Sequence, residues 1–190
     1  MSTAAAIPVA PATLSDLARV EEKAELIDGR IVTIMSTGRL PGRISKRILL
    51  SLHVYEQQSR LGEAIPDNVG YAIRPPLMSG RESFSPDVSF YVGTSPYNDA
   101  GLIEGAPTFA VEVRSEHDFG PAKNRDSADK RSDYFEAGTR VVWDVNYRTE
   151  TIAKYEAANP AAPTFFRRGD TADAEPALPG WRLNVADLFA

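Results

Sequence analysis

Two carboxylates stand where carboxylates are costly. Glu112 sits between Val111 and Val113 in the run TFAVEV, and Asp87 opens the run DVSFYV directly after Pro86. On a strand of period two, Glu112 shares a face with Ala110 and Arg114. An ionised carboxylate inside an apolar strand is unfavourable unless it is paired, protonated or bound to a cation. Two such acids on adjacent strands are what an oxygen-ligand site for Mg2+ requires, because this hard ion needs neither histidine nor cysteine. An ion held there would offset the acids' mutual repulsion, lower the pKa of an attacking water and stabilise charge on a phosphoryl oxygen. Lys130 follows 18 residues after Glu112, and Asp126, Lys130 and Tyr134 fall at successive i, i+4 positions of a predicted helix. An ammonium there could orient the water or offset charge as a phosphodiester breaks. The plainer readings stay open. Glu112 could face solvent on an edge strand, Asp87 could merely start a strand after a proline turn, and Lys130 could belong to a solvated, ion-paired helix face.

The rest of the composition narrows the chemistry. The absence of cysteine excludes disulfides, thiolate zinc sites and cysteine nucleophiles. The two histidines, His53 and His117, have no metal-site spacing and read as structural or solvent-facing. Asp28 reads as a turn residue and Asp144 as a solvent-facing strand residue. No run approaches the roughly 20 apolar residues of a membrane helix. The opening MSTAAAIPVAPATL has no basic residue ahead of its apolar stretch, so residues 1–12 read as a loose tail rather than a secretory signal, and the expected compartment is the cytoplasm.

The elements that would position these residues follow in order. TLSDLARVEE suits a short helix capped by Thr13 or Ser15. AELI and RIVTIM flank Asp28-Gly29, a hairpin signal. After the loop STGRLPG, Ile44, Ile48, Leu52 and Tyr55 mark a long helix with Gly62 as its stop. VGYAIR, DVSFYV and TFAVEV read as central strands, AKNRDSADKRSDYFEAG as a helix ending at Gly138, and RVVWDV and TIAKY as a strand pair around an Asn146 to Thr149 turn. Ala157 to Pro179 reads as an Ala- and Pro-rich tail, before WRLNVADLF packs back on the core. This order describes a mixed α/β (α+β) fold, a central mixed sheet flanked by helices, in one domain over residues 13–190.

AELIDGRIV, SPDVSFYV, TFAVEVRSEHD, DKRSDYFEAGTRVVWDV and LPGWRLNVADLF, taken in order, resemble the Uma-two restriction-endonuclease family of the PD-(D/E)XK nuclease superfamily. The resemblance spans roughly Thr13 to Phe189. It implies a restriction-endonuclease-like core and Mg2+- or Mn2+-dependent hydrolysis of DNA phosphodiesters. Asp87 and Glu112 would be catalytic metal ligands, joined by the main-chain carbonyl of Val113. The signature lysine, two places after the second acid, is replaced here by Arg114, and Lys130 in the following helix would stand in for it. Arg114 and Arg43 would contact substrate, with Glu25 and Tyr134 as further members of the site. Where family members often carry a histidine, this chain has Leu40-Pro41-Gly42-Arg43.

A formal charge of −5, from 21 basic and 26 acidic side chains, argues against tight non-specific DNA binding. Local basic clusters still leave room for a groove, one at Arg39, Arg43, Lys46 and Arg47 and one at Arg114, Lys123, Arg125, Lys130 and Arg131. The implied partners are DNA and a second copy of the chain. The loops Ser36 to Arg43 and Gly93 to Gly105 are the expected seats of specificity. The alternative is a catalytically inactive nuclease-fold module that binds nucleic acid or a protein.

Overall fold

The computed structural model describes residues 10–93 and 101–190. Residues 1–9, most of the expected tail, and residues 94–100, within the expected Gly93 to Gly105 loop, lie outside the described residues.

The first helix, α1 (Leu14–Leu17), is one turn with a capping box: the Asp16 carboxylate accepts from the Thr13 backbone N–H and Thr13 Oγ1 accepts from Asp16 N–H. The Asp28-Gly29 signal forms the hairpin β1 (Ala24–Ile27) and β2 (Arg30–Thr33), with both turn residues at positive φ as a tight two-residue hairpin requires. The long helix α2 (Arg39–Ser59) buries the expected stripe of Ile44, Ile48, Leu52 and Tyr55. It begins earlier than its sequence suggests, so Arg39 to Arg43 are helical rather than loop. Pro41 lies in the first turn, where its missing N–H has no helical partner to lose. The helix ends on left-handed Arg60, not at Gly62.

The main sheet has six strands in the order β11 (Asn159–Arg167), β10 (Thr151–Glu156), β9 (Val141–Asn146), β8 (Phe109–Val113), β6 (Val88–Tyr91) and β3 (Glu63–Ile65). Only β8 and β9 run parallel, joined by the crossover helix α3 (Pro121–Glu136). Two expectations fail here. VGYAIR supplies only β4 (Tyr71–Ala72), which lies outside the main sheet, between β5 (Ser83–Phe84) and β7 (Ile103–Glu104). The Ala- and Pro-rich segment carries β11, whose Pro160 and Pro163 are tolerated because the strand lies at an edge.

Alternation along the strands splits the apolar residues into two cores. Val111, Trp143 and Phe109 pack toward α2 and the C-terminal segment, formed by β12 (Thr171–Asp173), β13 (Arg182–Asn184) and α4 (Val185–Phe189), with Trp181 closing on Trp143 at 5.1 Å between ring centroids. Ala110, Val142 and Tyr134 form the second core, with Phe84 stacked on Tyr134 at 4.1 Å. Glu112 belongs to this second face, the α3 side.

Gly62 lies against β6. A Cβ there would stand 2.1 Å from the Tyr91 carbonyl oxygen and 2.9 Å from the Phe90 ring. Gly62→Ala is therefore expected to lower stability by about 1–3 kcal/mol and the melting temperature by roughly 2–12 °C, measured by thermal unfolding.

Candidate active site

The β6–β8 register ends with Val88 opposite Val111, and Asp87, just before Val88, donates its N–H to the Val111 carbonyl at 3.1 Å, which brings it beside Glu112. Asp87 is fixed by the strand it faces, since its Oδ2 accepts the Val113 N–H at 2.8 Å. The neighbouring strand adds a third acid, because Glu112 pairs with Asp144 in the β8–β9 register. These residues floor a cleft of about 1080 Å3, with the β1–β2 hairpin on one side and α3 on the other.

The helix delivers its side chains at helical spacing. Lys130 Nζ lies 2.9 Å from Glu112 Oε1 and 3.0 Å from Glu25 Oε1, and the Tyr134 hydroxyl donates to Glu112 Oε1 at 2.7 Å. The third residue of the predicted face, Asp126, lines the cleft but pairs with Lys123 instead. Glu25, from β1, also accepts the Ser85 N–H and an ion pair from Arg81, whose Nε reaches Asp133 on α3 at 2.7 Å. Lys23 bridges Asp87 at 2.8 Å and Asp67 at 2.6 Å.

The electrostatics follow from these contacts. Burial pushes the Glu112 carboxyl up, Lys130 opposes this, and the negative charges of Asp87 and Glu25 add to the rise, leaving it above the usual carboxylate range. Burial would likewise raise Glu25, but Lys130 and Arg81 override it and hold the group below its ordinary value. Burial alone would depress Lys130, yet Glu112 and Glu25 keep it well above a normal lysine. Lys130 is therefore a fixed cation at neutral pH and not a base. Tyr134 is raised by burial and by the same two carboxylates, so it remains a hydroxyl donor.

Not every expected residue joins the site. Arg114 lines the cleft, but its guanidinium is clamped bidentately to Asp144 at 2.7 and 2.8 Å and also donates to Asn124. Arg43, on α2, is not among the cleft residues, and its Nε is buried without a hydrogen-bond partner. Asp144 corrects its sequence reading: it is 7% exposed and held by Arg114 and Arg131. Its place in the apolar run VVWDV was the same signal that marked Glu112. His117, expected to be structural or solvent-facing, is exposed at the cleft. Lys23, Asp67, Arg81 and Asp133 went unnoticed, and for Arg81 no local signal exists, because its partners lie 56 and 52 positions away.

The carboxylate donors of Asp87 and Glu112 suit a hard divalent ion, and the raised Glu112 is what an added positive charge would relieve. Among the described residues no three acidic or imidazole side chains form a ready-made cage. Main chain, water or substrate phosphate would complete the coordination, as is usual for Mg2+.

A family model described as "Putative restriction endonuclease", Uma2, matches residues 11–186. The chain belongs to the Uma2 family. Among solved structures, a protein titled a putative nuclease belonging to DUF820, from Anabaena variabilis ATCC 29413, superposes with a TM-score of 0.71 at 18% identity, covering 94% of this chain and 98% of that one. The Uma2 match and this likeness agree on a mixed α/β nuclease-type fold. No curated protein matches the sequence. No helix among the described residues is long and apolar enough to cross a membrane.

Arg81 is the buried cation between Glu25 and Asp133, so Arg81→Leu strands Asp133 and leaves Glu25 to Lys130 and the Ser85 N–H, and it is expected to cost about 3–5 kcal/mol in urea unfolding. Acid titration gives a second outcome. Because Glu25 is depressed in the fold, its contribution is present above its unfolded pKa near 4.5 and is lost as pH falls through the lower folded value. Glu25→Gln is expected to flatten that part of the stability profile below pH 5.

Proposed function

We propose that this chain is a metal-dependent endonuclease that hydrolyses phosphodiester bonds in DNA. The observation that carries the reading is the meeting of Lys130 from α3 with Glu112 from β8 at 2.9 Å, in the cleft where Asp87 also opens. In this reading Asp87 and Glu112 hold Mg2+ or Mn2+, with the Val113 carbonyl as a third ligand. The bound ion supplies a more acidic water and stabilises charge on the phosphoryl oxygen. Lys130 holds the water or a non-bridging phosphate oxygen through charge and hydrogen bonding, and Tyr134 and Glu25 fix the Glu112 carboxylate and the Lys130 ammonium. The water oxygen bonds to phosphorus and gives up a proton to solvent, while the leaving oxygen departs and takes a proton from solvent.

Arg114 acts less as a substrate contact than as the clamp on Asp144, because its donors are already committed. Arg43 would reach DNA only where the duplex leaves the cleft. Two copies of the chain would allow both strands to be cut.

One observation favours the inactive-module alternative. Each proposed metal ligand already has a resident ammonium, Lys23 on Asp87 and Lys130 on Glu112. Asp87→Asn and Glu112→Gln separate the readings, since both keep size and hydrogen-bonding capacity. Each is expected to abolish Mg2+- or Mn2+-dependent cleavage of plasmid and oligonucleotide DNA while leaving circular dichroism unchanged. Retained cleavage in both would overturn the endonuclease reading, and metal-independent binding without turnover would support the inactive module. Lys130→Met is expected to reduce single-turnover cleavage by roughly 10²–10³-fold. Lys23→Met removes the competitor on Asp87 and is expected to tighten Mn2+ binding roughly fivefold by calorimetry, the equivalent of about 1 kcal/mol for a weak ion pair.

A further inference from the structure

Glu112, Asp144, Ala153 and Phe165 form one transverse row across the main sheet, with Asp87 beside its Glu112 end. The registers pair Glu112 with Asp144, Asp144 with Ala153, and Ala153 with Phe165. Cross-strand partners point to the same face, so Phe165 looks out on the side that carries the acids. At 4.7–4.9 Å per strand it stands about 14 Å from Glu112 along that row.

Helix α3 covers the Glu112 end of the face through Lys130 and Tyr134 and leaves the β10–β11 end open. There Phe165 is 58% exposed, although its neighbour Phe166 already packs on the opposite core. Anchoring the strand does not require Phe165. A cavity of about 300 Å3 lies beside it, lined by Arg114, Asn124, Arg131, Tyr155 and Phe165, and it shares Arg114, Arg131 and Asp144 with the main cleft. The Arg131 guanidinium lies 4.0 Å from the Tyr155 ring centroid. Two arginines facing one aspartate leave the wall between the cavities with a surplus positive charge. Strand addition is a poor use of this edge, because Pro160 and Pro163 remove two N–H donors from β11.

We propose that this cavity is a stacking site for an unpaired base of a nucleic-acid strand whose backbone runs from the acidic cleft past Arg114 and Arg131. The proposal rests on the nuclease reading and narrows its substrate class to DNA that is single-stranded or locally opened. A duplex base has both faces stacked and cannot offer one to Phe165, whereas an unpaired base can stack on the ring without regard to sequence. Arg131, held to Asp144 by an ion pair of 3.5 Å, supplies the phosphate contact and, packed over Tyr155, a cation–π partner for the aromatic wall.

The test uses the full chain in chelator, so that no cleavage intervenes, with fluorescence anisotropy on a single-stranded oligonucleotide and its duplex. Phe165→Ala is expected to weaken single-strand binding about five- to a hundredfold and to leave duplex binding within twofold, while Phe165→Trp retains wild-type affinity. A 2-aminopurine base in the single strand is expected to be quenched by the wild type and not by Phe165→Ala. Single-strand binding unchanged in Phe165→Ala overturns the proposal, as does an equal loss for both DNAs. A change in oligomeric state, with DNA binding unaltered, assigns the ring to self-association and also overturns it. Metal-dependent cleavage by a protein whose Phe165→Ala form binds single strands normally sinks the stacking site alone, whereas absence of any DNA binding or cleavage in the wild type removes the nuclease reading with it.

Discussion

The site depends on one buried arrangement, the Glu25 carboxylate held between Lys130 and Arg81. Glu25 comes from the hairpin, Lys130 from α3 and Arg81 from the segment leading into β5, so a single acid fastens three parts of the chain that are remote in sequence. Removing such charges from water is unfavourable, and the arrangement is tolerable only because every member is satisfied. Arg81 closes the circuit by binding Asp133, one turn of α3 from Lys130's end of the helix. The position of the Lys130 ammonium over Glu112 is thus a product of the whole network rather than of α3 alone.

That network also explains how charge is graded across the cleft. Glu25, flanked by two cations, is held ionised, whereas Glu112 faces Asp87 and Glu25 with Lys130 as its main opposing charge. Two glutamates within reach of the same lysine therefore differ in proton affinity because of what stands on their other sides. The acid with excess negative surroundings is the one suited to receive a cation, and the other serves as scaffold.

Much of this was legible in the sequence where local rules suffice. Asp28-Gly29 marked the hairpin, the spacing of Ile44, Ile48 and Leu52 marked α2, and the carboxylates interrupting FAVEV and preceding VSFYV marked the floor of the cleft. The failures have physical causes. Prolines read as breakers are harmless in a helix's first turn, as at Pro41, and on an edge strand, as at Pro160 and Pro163. Lys23 and Arg81 carried no signal because their partners are supplied by tertiary structure. Asp144 did carry one, in the same form as Glu112, and the two are distinguished by their partners, Arg114 and Arg131 for the first and Lys130 and Tyr134 for the second.

Supplying the ammonium beside Glu112 from a helix rather than from the strand has a consequence for position 114. A lysine two places after Glu112 would be bound to strand alternation, and position 114 could then serve no other purpose. With Lys130 placed beside Glu112 by α3, residue 114 is the guanidinium that neutralises the next acid in the row. The charge beside Glu112 is therefore set by how α3 docks on the sheet, and a change at position 114 alters the balance at Asp144 rather than at Glu112.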